Sequence, residues 1–235
     1  MTERKQASLE LKQQKNNLLA VNMMLSNTMT TLEQRNEELD QFAYVTSHDL
    51  KAPLRAIANL TTWIEEDLGD KLPPENAEQF DLLKNRVHRM EGLINGLLEY
   101  SRVGRTHQSH EQVNVTEILA DVIDVIVPPK AFTISVEASM PTIEAKKIPL
   151  TKVCLNLVDN AIKHHNHQDG RISITSIELP DFYQFTVTDD GPGIESQFHE
   201  RRFTIFQTLQ PRDELESTGI GLSIVQKTVL TEGGE

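Results

Sequence analysis

The chain is poor in cysteine: Cys154 is the only one in 235 residues, which excludes an internal disulfide. Its place in an apolar helical pattern fits a packing role in a reducing compartment. Positive charge is also scarce. Lys and Arg number 23 against 35 Asp and Glu, a net charge of -12, so non-specific attraction to a nucleic-acid backbone or to anionic lipid is disfavoured. Long apolar runs are missing as well. Spanning a bilayer takes roughly 20 apolar residues, and the best stretch, Ile118 to Val127, is broken by Asp121 and Asp124. Nothing resembles a signal peptide. These absences point to a cytoplasmic chain that engages neither nucleic acid nor membrane. With 38% hydrophobic residues it can still build the core of one large domain or two ordinary ones.

Leu11, Leu18, Leu25, Leu32 and Leu39 recur every seven residues, with Ser8, Lys15, Asn22, Met29 and Asn36 three positions before them. This is a coiled-coil seam. Leucine at one seam position and asparagine at the other favours a parallel two-stranded pairing, because a buried Asn is satisfied by its partner Asn in register. The spacing continues through Ala43, Thr46, Leu50, Pro53, Ile57, Leu60 and Ile64, which predicts one long helix running through Pro53 and bent there. Gly69-Asp70 and Pro73-Pro74 break it. Phe80, Leu83, Val87, Met90, Ile94, Leu97 and Ser101 then form a second seam. The result is an antiparallel helical hairpin, and two chains each giving one make a four-helix bundle. A homodimer follows.

Past Ser101 the polar stretch Arg102 to Gln112 leads into mixed strand and helix. Strands are expected at Val113–Val115, Ala131–Glu137, Arg171–Glu178 and Tyr183–Thr188, and helices at Thr116–Ile126, Ile148–His165 and Ile220–Leu230. They describe an α/β sandwich, one mixed sheet covered by helices. The expected domains are a signalling coiled coil over 1–40, a helical hairpin over 41–103, a linker over 104–112 and an α/β domain over 113–235.

His48 falls two residues past Thr46, off the seam, so it is exposed and reachable by another domain. Asp49 beside it can hydrogen-bond one ring nitrogen and raise the nucleophilicity of the other. In the second domain, Asn156-Leu-Val-Asp-Asn160-Ala-Ile-Lys163 puts two asparagines and a lysine on one helix face. Amide oxygens can hold Mg²⁺ and a lysine can meet phosphate. Asp189-Asp190-Gly191-Pro192-Gly193 follows a strand, where glycines admit a ligand close to the backbone and a carboxylate can accept from an exocyclic amine. Gly219-Ile220-Gly221 opens a helix whose backbone donors can receive a phosphate. Between the last two motifs lies a long loop with Phe203 and Phe206, of the kind that serves as a lid.

The run Phe42 to Leu54 around His48 resembles the phosphoacceptor box of sensor histidine kinases. The order of Asn-rich helix, Asp-Gly-x-Gly turn, paired phenylalanines and Gly-x-Gly helix start resembles the ATP-binding domain of the same family. Together they cover the chain from about Gln41 to Gly234, and the lid from Pro211 to Gly219 looks most like kinases of the phytochrome type. The resemblance implies a two-component enzyme that uses ATP and Mg²⁺. His48 would attack the γ-phosphoryl group, with Asp49 orienting the ring and taking its proton. Asn160 would ligate Mg²⁺, Asn156 and Lys163 would approach the phosphates, and Asp189 would bind the adenine amine beside Gly191 and Gly193. Thr218, Gly219 and Gly221 would flank the triphosphate. The phosphoryl group would pass on to an aspartate of a response-regulator receiver domain, and a sensory domain would lie upstream.

Three departures qualify that pattern. The water-activating relatives, DNA gyrase among them, carry a glutamate where Asn156 stands here, which favours transfer to histidine over ATP hydrolysis. Ala52, four residues after His48, stands where bifunctional kinases have a hydrogen-bonding residue, so weak phosphatase activity is expected. The family normally adds two more strands after Gly234, so the sheet is expected to lack its last strands. Two other readings stay open: a silent dimeric scaffold, which would carry no phosphohistidine, and a water-directed ATPase, which would release phosphate without one.

Overall fold

The computed structural model describes residues 3–105, 108–199, 201–207 and 218–235. It falls into two compact units, Met1–Thr46 and Ser47–Glu235. The first helix, α1, covers Glu3–Leu68. Within the first unit the seam leucines Leu11, Leu18, Leu25, Leu32 and Leu39 are all 52–70% exposed. Thr28, Thr30 and Thr31 turn their hydroxyls back onto the carbonyls of Met24, Ser26 and Asn27 at 2.8–3.1 Å, so these polar groups are satisfied within the helix.

In the second unit α1 runs on through Pro53. Proline has no N–H to give the carbonyl four residues back, so the Asp49 carbonyl, next to His48, lacks its helical donor. After Leu68 the chain turns at Gly69, whose φ of +45° suits glycine, and enters α2 (Pro74–Arg102) with Pro74 in its first turn. Ion pairs join the two helices. Lys84 meets Glu65 at 2.9 Å and Arg55 meets Glu91 at 3.6 Å. Partner numbers rise on α2 as they fall on α1, so the hairpin is antiparallel and His48 lies level with the last turns of α2.

The buried face of this hairpin differs from the expected seam. Ser47, Leu54 and Thr61 of α1 and Val87 of α2 are buried, whereas Leu50, Ile57, Leu60 and Ile64 remain 41–52% exposed. Thr61 can sit inside because its hydroxyl donates to the Ile57 carbonyl at 2.8 Å. The leucine-rich row is therefore left on the outside of the hairpin.

The α/β part begins with β1 (Glu111–Asn114), which starts two residues earlier than expected, in the stretch read as linker, and ends at Asn114 because α3 (Val115–Ile126) follows at once. Asn114 caps α3, accepting from the Thr116 N–H at 3.0 Å and donating to Glu117 at 3.0 Å. Then come β2 (Phe132–Val136), β3 (Thr142–Ala145), α4 (Lys147–Lys163), β4 (Gly170–Glu178), β5 (Tyr183–Asp189) and α5 (Gly221–Thr231). Two sheets stand in place of one. β1 pairs antiparallel with β3, while β4 pairs parallel with β2 and antiparallel with β5. α4 packs between α3 and α5 and over β4 and β5. The core is Val115, Ile118, Leu119 and Val122 of α3, Val158 and Ala161 of α4, and Ile172 and Ile174 of β4. Cys154 packs against it, and burial pushes its thiol pKa up to about 11, so it stays protonated as the packing reading requires. No described helix is long and apolar enough to cross a membrane.

Candidate active site

His48 has the exposure its register predicts. Its side chain is 73% accessible, and Nδ1 lies 3.2 Å from the Asp49 carboxylate. With Nδ1 donating to that carboxylate, Nε2 is left as the basic, nucleophilic nitrogen.

The second group of candidates meets where α4 faces the start of α5. Asn156 donates its amide nitrogen to the Lys152 carbonyl at 2.9 Å, and its Oδ1 turns the other way, toward Gly221. A Cβ at Gly221 would lie 2.8 Å from that oxygen and 3.5 Å from the Asn160 amide. The second glycine of Gly-x-Gly is thus what allows Asn156 to sit against the first turn of α5, with the Asn160 amide beside it. The first glycine answers a different demand. Gly219 has φ +65°, and a Cβ there would lie 2.6 Å from the Gln207 carbonyl oxygen, while its own carbonyl accepts from the Phe206 N–H at 3.1 Å. The Lys163 ammonium is engaged 2.7 Å from Asp159. It must leave that carboxylate to meet a phosphate.

At the end of β5 the Asp189 side chain is exposed and accepts from the Gly191 N–H at 2.9 Å. Gly193 has φ +69° with open space around it. Asp190, not singled out by sequence, is engaged more deeply. It accepts from the Arg171 N–H at 2.7 Å and from the ring of His165 at 3.1 Å, and these bonds hold its carboxyl below the usual value. Most of the lid, residues 208–217, lies outside the described residues; Thr218, Gly219, Phe203 and Phe206 lie within them.

The α/β part is seated on α2 by contacts that no motif announced. A Cβ at Gly92 would come 3.0 Å from the Thr218 methyl, and one at Gly96 would come 2.6 Å from Ile220 Cδ1. The two glycines, four apart on one helix face, form a notch for the residues on either side of Gly219. Below it Lys227 of α5 donates to the Tyr100 carbonyl at 2.7 Å and lies 4.2 Å from that ring's centre. Lys152 of α4 pairs with Glu99 at 2.8 Å. Ile220, 1% exposed, owes its burial in part to α2. A pair of glycines at helical spacing on α2 was the signal available in the sequence.

A helical hairpin with an exposed histidine, joined to an α/β domain with asparagines set against a glycine-opened helix, defines the class: a phospho-acceptor module beside a nucleotide-binding one. Family models agree with both halves. Residues 38–106 match the His Kinase A (phospho-acceptor) domain, and residues 145–235 match the histidine kinase-, DNA gyrase B- and HSP90-like ATPase. The chain belongs to the sensor histidine kinases. It is 35% identical over 209 residues to cyanobacterial phytochrome B of Nostoc sp., covering 87% of this chain and 28% of that protein. To phytochrome-like protein Cph1 of Synechocystis sp. it is 32% identical over 214 residues, 90% of this chain and 28% of the relative. The chain therefore spans little more than a quarter of the length of these relatives. Full-length ShkA, solved in complex with AMPPNP, shares the fold with a TM-score of 0.59 at 24% identity, over 82% of this chain and 41% of that one.

Proposed function

We propose that this chain carries out ATP-dependent phosphorylation of His48 and passes the phosphoryl group to an aspartate of a response-regulator receiver domain. The observation that carries the reading is the His48–Asp49 pair: an exposed imidazole with Nδ1 already engaged at 3.2 Å, level with the part of α2 that seats the nucleotide-binding fold.

ATP is held in this reading between α4 and the start of α5. Asp189 accepts from the adenine amine, next to the glycine backbone at 191 and 193. Lys163, released from Asp159, and Asn156, with its amide turned so that Nδ2 leaves the Lys152 carbonyl, meet phosphate oxygens, and the backbone from Thr218 to Gly221 receives the triphosphate at the α5 N-terminus. A bound Mg²⁺ would neutralise charge on the β- and γ-phosphates. An amide oxygen suits such a hard cation, and Asn160, whose Nδ2 faces Gly221, is the residue assigned to hold it through Oδ1 once its amide turns. Nε2 of His48 then forms the new N–P bond as the bond from the γ-phosphorus to ADP breaks. The Nδ1 proton passes to Asp49, leaving a neutral phosphoimidazole. Asn156 offers no base to activate water, which favours histidine as acceptor. Ala52, exposed one turn past His48, offers no hydrogen bond to a water there, so dephosphorylation of the regulator is expected to be weak.

The exposed leucine rows of α1 support a homodimer, since apolar rows of that length are stable when a second copy covers them. Dependence on ATP supports a cytoplasmic setting for this part of the protein, with sensing done by a domain upstream. The test is incubation with γ-labelled ATP and Mg²⁺. Acid-labile, base-stable label that maps to His48 and disappears in His48→Gln, with nucleotide binding retained, is the expected result; equal label in His48→Gln would refute the acceptor.

A further inference from the structure

His165 belongs to none of the motifs above, yet its side chain is only 2% accessible. It follows the last turn of α4 and reaches three other parts of the domain at once. Nε2 lies 3.1 Å from Asp190 Oδ1, the oxygen that also accepts from the Arg171 N–H of β4 at 2.7 Å. Nδ1 lies 3.2 Å from both the N–H and the carbonyl of His167. The Phe132 ring of β2 meets the imidazole edge-on, with centres 5.3 Å apart at 77°. Glycine stands at two places where the backbone passes the ring. A Cβ at Gly170 would be 3.0 Å from Nε2, and one at Gly191 would be 3.2 Å from Cδ2.

The two bonds of the ring fit together in either charge state. A neutral ring accepts at Nδ1 from the His167 N–H and donates from Nε2 to Asp190; a protonated one donates at both ends, to the His167 carbonyl and to Asp190. The Asp190 bond therefore survives a change of protonation. Burial alone would lower the ring's pKa, but the hydrogen bond and charge of Asp190, with smaller help from His167 and Asp189, outweigh it and raise the value.

We propose that His165 is a positioning residue for nucleotide selection. By tying Asp190 to the end of α4, it fixes the Asp189–Gly191 turn at a set distance from Asn156 and Asn160, so that base and phosphates are read together. The inference rests on the reading that Asp189 accepts from the adenine amine. Asp189 holds its neighbour Gly191 at 2.9 Å, and Gly191 lies against the His165 ring, so the turn cannot rotate freely while the imidazole fills its slot.

The test compares Mg-dependent binding of ATP with that of purine riboside triphosphate, which lacks the amine, by titration calorimetry on the whole chain. His165→Leu fills the slot but cannot donate. It should weaken ATP by about tenfold, the scale of one lost hydrogen bond, while changing the analogue by less than about twofold on the same scale. His165→Gln, which can present an amide N–H to Asp190, should recover most of the ATP affinity. Asp190→Asn gives a second route if His165→Leu does not fold, and should likewise narrow the preference for ATP. Equal weakening of both nucleotides, or an unchanged ATP preference in folded variants, overturns the proposal. Asp189→Ala, which removes the acceptor, is measured alongside. If it leaves the preference intact, the adenine reading itself fails; if it abolishes the preference while His165→Leu does not, only the role of His165 fails.

Discussion

Gly96 of α2 and Ile220 at the entrance to α5 are packed so closely that a methyl group on the glycine would lie 2.6 Å from the isoleucine Cδ1. Real carbon atoms do not approach to that distance, so a side chain at position 96 and a seated Ile220 exclude each other. Gly96→Val should displace the α5 entrance from α2 at a cost of about 1–3 kcal/mol, the range for overpacked sites. Hydrogen exchange over residues 218–230 should speed up while exchange in α3 stays as it was. An unchanged pattern would mean that the two surfaces do not meet in solution.

Gly221→Ala acts on the nucleotide end of the same segment. Its methyl would come 2.8 Å from Asn156 Oδ1, pushing aside the amide proposed to face phosphate. ATP affinity should fall by about tenfold or more, with the thermal midpoint little changed. Wild-type affinity in this variant would show that Asn156 is not at the phosphate site.

The leucine rows of α1 make a prediction about assembly. Leu18→Lys with Leu25→Lys puts cations at positions that are 62% and 58% exposed in the single chain, so the fold of each chain should be kept. Pairing of the first unit should be weakened, because a seam lysine destabilises a two-stranded coil. Sedimentation equilibrium should show the self-association constant falling, and an unaltered constant would place the dimer contacts elsewhere.

A pH prediction comes from His165, whose value is raised above 6.5. Folding then favours the protonated ring, so its contribution is complete below pH 6.5 and is lost as pH climbs through the raised value. His164 has a lowered value, chiefly from burial and then from Lys163, and acts in the opposite sense. The informative quantity is therefore a difference: from about pH 6 to about pH 8, wild type should lose more stability to urea than His165→Gln, which keeps His164. Parallel curves would contradict it.

What could be read from the sequence was whatever rests on period or on a local motif. The heptads, the hairpin break at Gly69 and Pro73, the exposed face carrying His48 and the pairing of Asn156 with Asn160 all belong to that kind. What escaped depends on contacts distant in sequence. β3 is four residues, Thr142–Ala145, between Pro141 and Lys146-Lys147, too short for alternation to declare itself. Ser47 and Thr61 are buried where leucine would be sought, because the richer leucine row is turned outward. His165 carries no periodic signature, and its meaning comes from Asp190, 25 residues on. For Lys163 the sequence reading weighed only phosphate and not Asp159, the carboxylate 2.7 Å from its ammonium.

The segment Thr218 to Gly221 touches α2 on one side and Asn156 on the other, so one short piece of backbone takes part in two equilibria. By reciprocity, whatever factor a nucleotide applies to the seating of that segment on α2, the seated state must return to the nucleotide's affinity. A disturbance that reaches α2 from the far end of the hairpin thus has a thermodynamic route to the proposed ATP site that never passes through His48.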